Sequence, residues 1–428
     1  MKLNGTYVPV PDKSMTHRAL IMSAMACGRS TIANPLTCFD CDSTIHALRL
    51  LGAEIDELDG RINVVSNGYK SFAVAPDIGN NPLVLPCGNS GTTARLIAGA
   101  LAPRNINVKI SGDDSLNLRP MTRIIEPLIK MGANIVSTED NGRLPIEIRP
   151  SKMHNLQYSS EVPSAQVKSA FLLAALQTEG VSTYVEQIRS RDHTERMLPL
   201  YGVSVSSSGE KLVVNGPCDM RPADFLVPGD ASAAATIIVA AHMFEESRLN
   251  VNDVGLNPTR TEFLSILQQW GAELEVNVTT DKSATEPIGC VRVLNEHKLT
   301  GGLIAGASSQ RAIDELPLLA MLGLFTREPV EIRQAGELKY KESNRIHSTV
   351  FNLRAIGAEV AEFDDGLIVY PLFGKEPNIN ARLNNFNDHR IAMMNVILAK
   401  RFGLQMPRVN SLAVSYPNFV ADLEKLII

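Results

Sequence analysis

Asp12-Lys13-Ser14-Met15-Thr16-His17-Arg18 gathers an ammonium, a hydroxyl and a guanidinium at the start of an Ala-rich helical segment. Asp12 or Ser14 can cap that helix, whose first-turn N–H groups carry a partial positive charge. Lys13 adds a point charge, and Arg18 lies one turn beyond Ser14. Such a start suits a small phosphorylated or carboxylated ligand, and it equally suits a plain capped helix end in solvent. The combination recurs. Cys87-Gly88-Asn89-Ser90-Gly91-Thr92-Thr93-Ala94-Arg95 opens a second Ala-rich segment, with two glycines that permit close backbone approach. No Gly-Lys-Ser/Thr follows at nucleotide-loop spacing, so this is not a Walker loop. Arg119 and Arg123 flank Pro120 at another helix start. Ser164-Ala165-Gln166-Val167-Lys168-Ser169 and Ser190-Arg191-Asp192-His193-Thr194-Glu195-Arg196 repeat the chemistry. Each could be simple capping; recurrence at equivalent places favours one composite anion site.

The later half adds carboxylates. Asp314-Glu315 precedes an apolar helical run, Lys339-Tyr340-Lys341-Glu342-Ser343-Asn344-Arg345 mixes an acid with three cations, and Asp388-His389-Arg390 opens the last Ala-rich helix. Neighbouring cations keep a carboxylate ionised and desolvation raises its pKa, so two such acids can divide the roles of base and acid. The plain alternative for 339–345 is an exposed, ion-paired helix.

These segments need a scaffold, and a repeat supplies it. A helix-like segment ending in glycine, then a short β-rich run, occurs at Gly52, Gly132, Gly202, Gly271 and Gly357. Each glycine suits the left-handed position that ends a helix. Ala-rich helices interleave, running into strands near Ala26, Ala100, Ala175, Ala241, Met321 and Ala399. Six copies of a two-helix, several-strand unit account for nearly the whole chain, and the Ala-rich helices are expected to be buried. Units of about 70 residues exceed ordinary solenoid repeats, so two domains of three units each are predicted, an α+β architecture with similar halves.

Composition narrows the function. The 428 residues carry 41 Lys and Arg against 46 Asp and Glu, a net charge of −5, which disfavours a phosphate-neutralising nucleic-acid binder. No apolar run reaches membrane-spanning length and the first residues lack a signal core, so the chain reads as cytoplasmic. The six cysteines are scattered; Cys38-Phe39-Asp40-Cys41 lacks a second pair at zinc spacing, and no metal is expected.

Together the segments resemble the 5-enolpyruvylshikimate-3-phosphate (EPSP) synthase family, most closely its bacterial class II branch. The resemblance rests on Asp12–Arg18, Gly88–Thr92, Ser164–Ser169, Ser190–Glu195, Pro228-Gly229-Asp230, Gly255–Arg260, Lys341-Glu342-Ser343 and Asp388-His389-Arg390, in order along the chain. It implies two domains of three βαβαββ units, an inside-out α/β barrel each, joined by two crossover strands with substrates between them. The first would span 12–228 and carry most shikimate 3-phosphate ligands; the second, 1–11 with 229–428, would carry the acid and base. The implied reaction moves the enolpyruvyl group of phosphoenolpyruvate to the 5-hydroxyl of shikimate 3-phosphate, with no metal or organic cofactor, in a monomer.

Residue by residue, the resemblance gives Lys13 to both substrates. Ser14, Arg18, Ser164, Ala165, Gln166, Arg191, Asp314 and Lys341 go to shikimate 3-phosphate, and Asn89, Gly91, Arg119, Gln166, Arg345 and Arg390 to phosphoenolpyruvate. Asp314 would take the hydroxyl proton and Glu342 handle the methylene proton. Glyphosate occupies the phosphoenolpyruvate subsite in this family; Gly91 implies sensitivity, and a methyl there should crowd the inhibitor. Three positions depart from the pattern: Pro11 for a glycine, Asn344 for an aspartate expected to pair with an arginine, and Val414-Ser415-Tyr416-Pro417 without a lysine. Enolpyruvyl transfer to UDP-N-acetylglucosamine, on a similar fold, usually begins with Lys-Asn rather than Lys13-Ser14. A non-catalytic phosphosugar-binding paralogue is the rival from another class.

Overall fold

The computed structural model describes residues 1–72, 81–139, 141–281, 284–295 and 297–428. The chain forms two compact units, one of Pro11–Val227 and one of Met1–Val10 with Pro228–Ile428. Each has its own apolar core.

In the Pro11–Val227 unit the repeat builds three four-stranded sheets of one topology. In the second copy, strand Leu83–Pro86 runs parallel to Val108–Ser111, which pairs antiparallel with Ile146–Arg149, and Asn134–Ser137 lies at the edge. The third copy repeats this with Gln157–Ser160, Gly180–Glu186, Lys211–Gly216 and Val205–Ser208. The first copy has no strand before its helix, and Phe225–Leu226 fills that place beside Cys27–Ala33. The other unit solves the same problem from the opposite direction: Asn4–Tyr7 pairs parallel with Arg248–Val251 to begin its first sheet. Its second sheet runs Gly302–Ile304, Val330–Ile332, Gly366–Val369 and Val360–Phe363. The sixth copy departs from the expectation. Among the described residues it keeps helices His389–Phe402 and Phe419–Leu426 but builds no four-stranded sheet.

Helices Lys13–Met25, Gly91–Leu101 and Ala165–Ala175 fill the middle of the first unit, as Ala231–Met243, Leu316–Leu322 and His389–Phe402 fill that of the second. Small residues let them touch. A β-carbon on Gly99 would fall 2.5 Å from the Ala170 Cα, so the second and third helices meet backbone to backbone. Ala231–Met243 is buried all round, as an alanine-rich centre requires. The five repeat glycines all have positive φ, between 80° and 96°. At all five glycines the next residue donates its N–H to a carbonyl five residues back, the bond that closes a Schellman-type helix end: Ala53 to Leu48, Ala133 to Leu128, Val203 to Leu198, Ala272 to Leu267 and Ala358 to Leu353.

Candidate active site

Buried helices must satisfy their first N–H groups, and five of the six do so with a side chain. Asp12 accepts from the Met15 N–H (2.8 Å), Ser90 from Thr93 (3.2 Å) and Ser164 from Val167 (3.4 Å). Asp230 accepts from Ser232 and Ala233, and Asp388 from Arg390. Asp12, not Ser14, therefore caps the first helix, which leaves Lys13 and Ser14 in its opening turn. A serine that accepts from the backbone still has its own O–H to donate, so Ser164 keeps a donor for an anion.

In the Pro11–Val227 unit the sequence-selected residues fall into linked groups. Lys13 Nζ pairs with Asp40 Oδ2 at 2.9 Å, both largely buried. Arg18 is buried, with Nε donating to Thr194 Oγ1 (2.8 Å), Nη2 to Ser169 Oγ (2.9 Å) and Nη1 to the Ser14 carbonyl (3.0 Å). Its charge is thus set beside Ser14. Asn89 bridges Asp113 and Arg119: its amide donates to Asp113 Oδ2 at 2.8 Å and its oxygen accepts from Arg119 Nη2 at 2.5 Å. Gly91 and Ala165 are the first residues of their helices. Gln166 accepts from Arg95 Nη1 at 3.0 Å and donates to Thr92 Oγ1 at 3.1 Å. Arg191 stands in the loop before the His193–Met197 helix. That loop is anchored by Lys168, fully buried between Glu186 and Glu195 (2.8 Å each) and donating to the Ser190 carbonyl at 3.2 Å. A chain of short side-chain bonds runs His17–Thr44–Thr93–Ser90 and couples the first helix to the cap of the second. Burial, with Lys13 and Arg18 nearby, pushes the His17 pKa well below that of a free imidazole, so this chain is neutral.

In the other unit one guanidinium organises the carboxylates. Arg345 is 1% exposed. Its Nε donates to Asp388 Oδ2 (2.8 Å), Nη1 to Asp314 Oδ1 (2.9 Å) and Nη2 to Glu342 Oε2 (2.5 Å). Burial alone would favour loss of its proton, but the charges of Asp388, Glu342 and Asp314 outweigh it and hold the guanidinium charged. For Asp388, burial works toward the neutral acid, yet Arg345 prevails and keeps its carboxyl below the usual range. Asp314 also faces Lys341 Nζ at 3.3 Å and Arg390 Nη2 at 3.5 Å. Behind it, buried Glu315 accepts from Ser232 Oγ and faces Arg390 Nη1 at 3.7 Å. Asn344, whose substitution was expected to cost an arginine its partner, instead caps the Arg345–Ala355 helix by accepting from the His347 N–H at 3.2 Å. Arg345 has three carboxylates without it.

Several supporting groups escaped the sequence reading as site residues. Asp40 is 27 positions from Lys13, Asp388 is 43 from Arg345, and Arg95 is 71 from Gln166. Arg95 and Asp388 lie in segments quoted for their chemistry but without a role of their own, and Asp40 lies in the Cys38–Cys41 pair weighed for zinc. Among the described residues no cluster of His, Cys, Asp and Glu could hold a metal, and no helix is long and apolar enough to cross a membrane.

Comparison with known proteins shows the family of the chain. The family model of EPSP synthase (3-phosphoshikimate 1-carboxyvinyltransferase) matches residues 1–423. The 3-phosphoshikimate 1-carboxyvinyltransferase of Thermotoga neapolitana is 40% identical over 430 residues, covering 100% of this chain and 98% of the relative. That of Geobacillus thermodenitrificans is also 40% identical, over 99% and 97%. A solved EPSP synthase from Acinetobacter baumannii superimposes with a TM-score of 0.83 at 31% identity, over 99% of this chain and 96% of that one. The chain belongs to the EPSP synthase (3-phosphoshikimate 1-carboxyvinyltransferase) family.

Proposed function

We propose how this chain's residues divide the family's reaction, in which the enolpyruvyl group of phosphoenolpyruvate passes to the 5-hydroxyl of shikimate 3-phosphate and phosphate leaves. Lys13, Ser14, Arg18, Ser164, Ala165, Gln166 and Arg191, with Asp314 and Lys341, hold shikimate 3-phosphate. Lys13, Asn89, Gly91, Arg119, Gln166, Arg345 and Arg390 hold phosphoenolpyruvate. The 11–227 unit thus supplies most shikimate 3-phosphate ligands, and the other supplies the acid and base. The enzyme acts as a cytoplasmic monomer.

Two proton movements are required. The 5-hydroxyl must lose its proton as its oxygen bonds to C2 of phosphoenolpyruvate, while C3 gains one and becomes a methyl group. The resulting tetrahedral adduct then loses a C3 proton as the C2–O bond to phosphate breaks, which restores the double bond. Asp314, within 2.9–3.5 Å of three cations, is the carboxylate that takes the hydroxyl proton. Glu342 has Arg345 as a neighbour and keeps part of its surface open, so it serves the C3 proton in both directions. The observation that carries this reading is the single buried guanidinium that holds both acids, 2.9 Å from one and 2.5 Å from the other.

Phosphate release from phosphoenolpyruvate with shikimate 3-phosphate, beside the same assay with UDP-N-acetylglucosamine, tests the reading. Turnover should occur with the first acceptor alone. Turnover only with the second would reassign the acceptor, and binding without turnover would leave a phosphosugar-binding paralogue.

A further inference from the structure

Ser190 and Asp192, the residues on either side of Arg191, are each pinned by charged groups. Glu186 accepts from the Ser190 N–H at 3.0 Å and from its Oγ at 2.7 Å. Lys168 Nζ donates to the Ser190 carbonyl at 3.2 Å and to Glu186 Oε1 at 2.8 Å. Ser190 is therefore held at its N–H, its hydroxyl and its carbonyl by one buried pair. Asp192, also buried, accepts from Arg189 Nη2 at 3.0 Å and faces Arg196 Nε at 2.8 Å. Lys168 ties this loop to a second element. Its own backbone N–H donates to the Ser164 carbonyl at 3.0 Å, so its side chain leaves the opening turn of the Ala165–Ala175 helix. The ammonium thus fixes the spacing between Ser164, Ala165 and Gln166 on the helix and Arg191 in the loop. A buried ion pair often stabilises a fold no better than apolar packing of the same volume, so its use here points to the arrangement it holds.

We infer that Lys168 and Glu186 are positioning residues for the phosphate of shikimate 3-phosphate, and that through Arg191 they set the preference for a phosphorylated acceptor. The inference rests on the proposal that Ser164, Ala165, Gln166 and Arg191 hold that ligand. Lys168 and Glu186 are not among those ligands; they act through Ser190. A guanidinium binds phosphate best as a two-pronged fork, and that geometry is lost when the loop carrying it slackens by about 1 Å. Of the two acids beside Lys168, Glu186 bonds Ser190, whereas Glu195 stands on the His193–Met197 helix and faces Lys168 at 2.8 Å. Substitution can therefore separate loop positioning from burial of charge.

The test uses the full chain carrying Glu186→Ala, Glu186→Gln, Glu195→Gln or Lys168→Met, with Arg191→Ala as the reference. KM for each substrate at saturating co-substrate, Tm, and the inhibition constant of shikimate, which lacks the phosphate, are measured. Glu186→Ala leaves Lys168 one acid for its one charge. It should raise the shikimate 3-phosphate KM by about 10- to 100-fold, while phosphoenolpyruvate and shikimate stay within about threefold of the parent. Lys168→Met should show the same split with a lower Tm. Glu186→Gln still offers an oxygen to the Ser190 N–H and an amide to its Oγ, so it should remain within about threefold for every ligand. Glu195→Gln should lower Tm without moving the shikimate 3-phosphate KM. Rises shared by both substrates and by shikimate would reduce the pair to a structural role. A rise with Arg191→Ala but none with Glu186→Ala refutes the positioning role alone; no rise with Arg191→Ala refutes it together with the ligand assignment. If Lys168→Met does not fold, the two Glu186 variants decide the matter.

Discussion

Replacing Glu342 by glutamine separates its chemical role from its structural one. Its carboxylate accepts from Arg345 Nη2 at 2.5 Å, but Arg345 also bonds Asp314 and Asp388 through its other nitrogens. Glutamine keeps the shape and still offers an oxygen to that N–H. The variant loses the charge assistance of one bond of several, so unfolding stability should fall by no more than about 1–2 kcal/mol. Shikimate 3-phosphate affinity should stay nearly unchanged, because its proposed ligands remain. Turnover should behave differently: an amide cannot carry the C3 proton, and losing a general acid–base group costs about two to four powers of ten. At 25 °C this is roughly 3–5 kcal/mol on the barrier, well above the stability change. The decisive assay is isotopic. Reversible protonation at C3 admits solvent deuterium into the methylene group, read by mass spectrometry of phosphoenolpyruvate and product in D2O. Glu342→Gln should slow this exchange in step with turnover while calorimetry shows shikimate 3-phosphate still bound. Exchange at the parent rate would refute the assignment of Glu342, and lost binding would mean that the residue supports the fold or the ligand instead.

Asp314→Asn should lower turnover by a similar two to four powers of ten, and parent-like phosphate release would remove it as the base. Arg119→Ala should weaken phosphoenolpyruvate by about 2–5 kcal/mol and shikimate 3-phosphate far less; equal losses by calorimetry would show the two subsites wrongly divided. Lys168→Met leaves Glu186 and Glu195 buried without their cation, so unfolding stability in urea should drop by about 3–5 kcal/mol at pH 7; a change below 1 kcal/mol (of order RT) would show that water reaches the pair. Burial lowers the His242 pKa to about 4, below the 6.5 of an unfolded imidazole. The unfolded chain therefore binds this proton first: the contribution is complete above pH 6.5 and shrinks as pH falls toward 4, by about 3 kcal/mol in all. Unfolding of His242→Gln between pH 7 and 4 should lack that part of the decline, and an unchanged slope would place it in other groups.

The features legible from sequence were those set by neighbours within a few residues. A cap at Asp12 or Ser14, of which the structure uses Asp12, the helix starts after Ser90 and Ser164, and the left-handed glycines that end the outer helices are local physics that any fold must respect. Burial of the alanine-rich helices follows from their lack of a polar face. Partnerships across the core left no local mark. From spacing alone Arg345 could sit on an exposed, ion-paired helix beside Lys341 and Glu342, and the resemblance gives it to phosphoenolpyruvate, but neither reading gave its burial against two aspartates 31 and 43 positions away. Lys168 reads as part of an anion-binding helix start, but spends its charge on Glu186 and Glu195. The missing sheet of the sixth copy was equally invisible, since the helical part of its pattern is intact.

The placement of strand Asn4–Tyr7 has a consequence for how the protein is made. Its partner strand begins at Arg248, Leu3 donates its N–H to Ser247 Oγ 244 positions away, and the Tyr7 hydroxyl meets that of Tyr416. On the ribosome these first ten residues emerge early and wait, while the whole of Pro11–Val227 appears behind them. That unit can close its three sheets at once, because Phe225–Leu226 completes the first of them from within the same stretch. Synthesis is vectorial and domains fold as units when they emerge, so the first unit should be finished before the second has a core. A nascent chain arrested just after Val227 leaves the exit tunnel should yield a protease-resistant body from which the leading decapeptide is readily clipped. Early clipping throughout would mean that the first unit needs the rest of the chain. The strand Asn4–Tyr7 is thereby a tether whose protection arrives only with the later half, so any pause in translation exposes an unpaired strand to proteases and to neighbouring nascent chains.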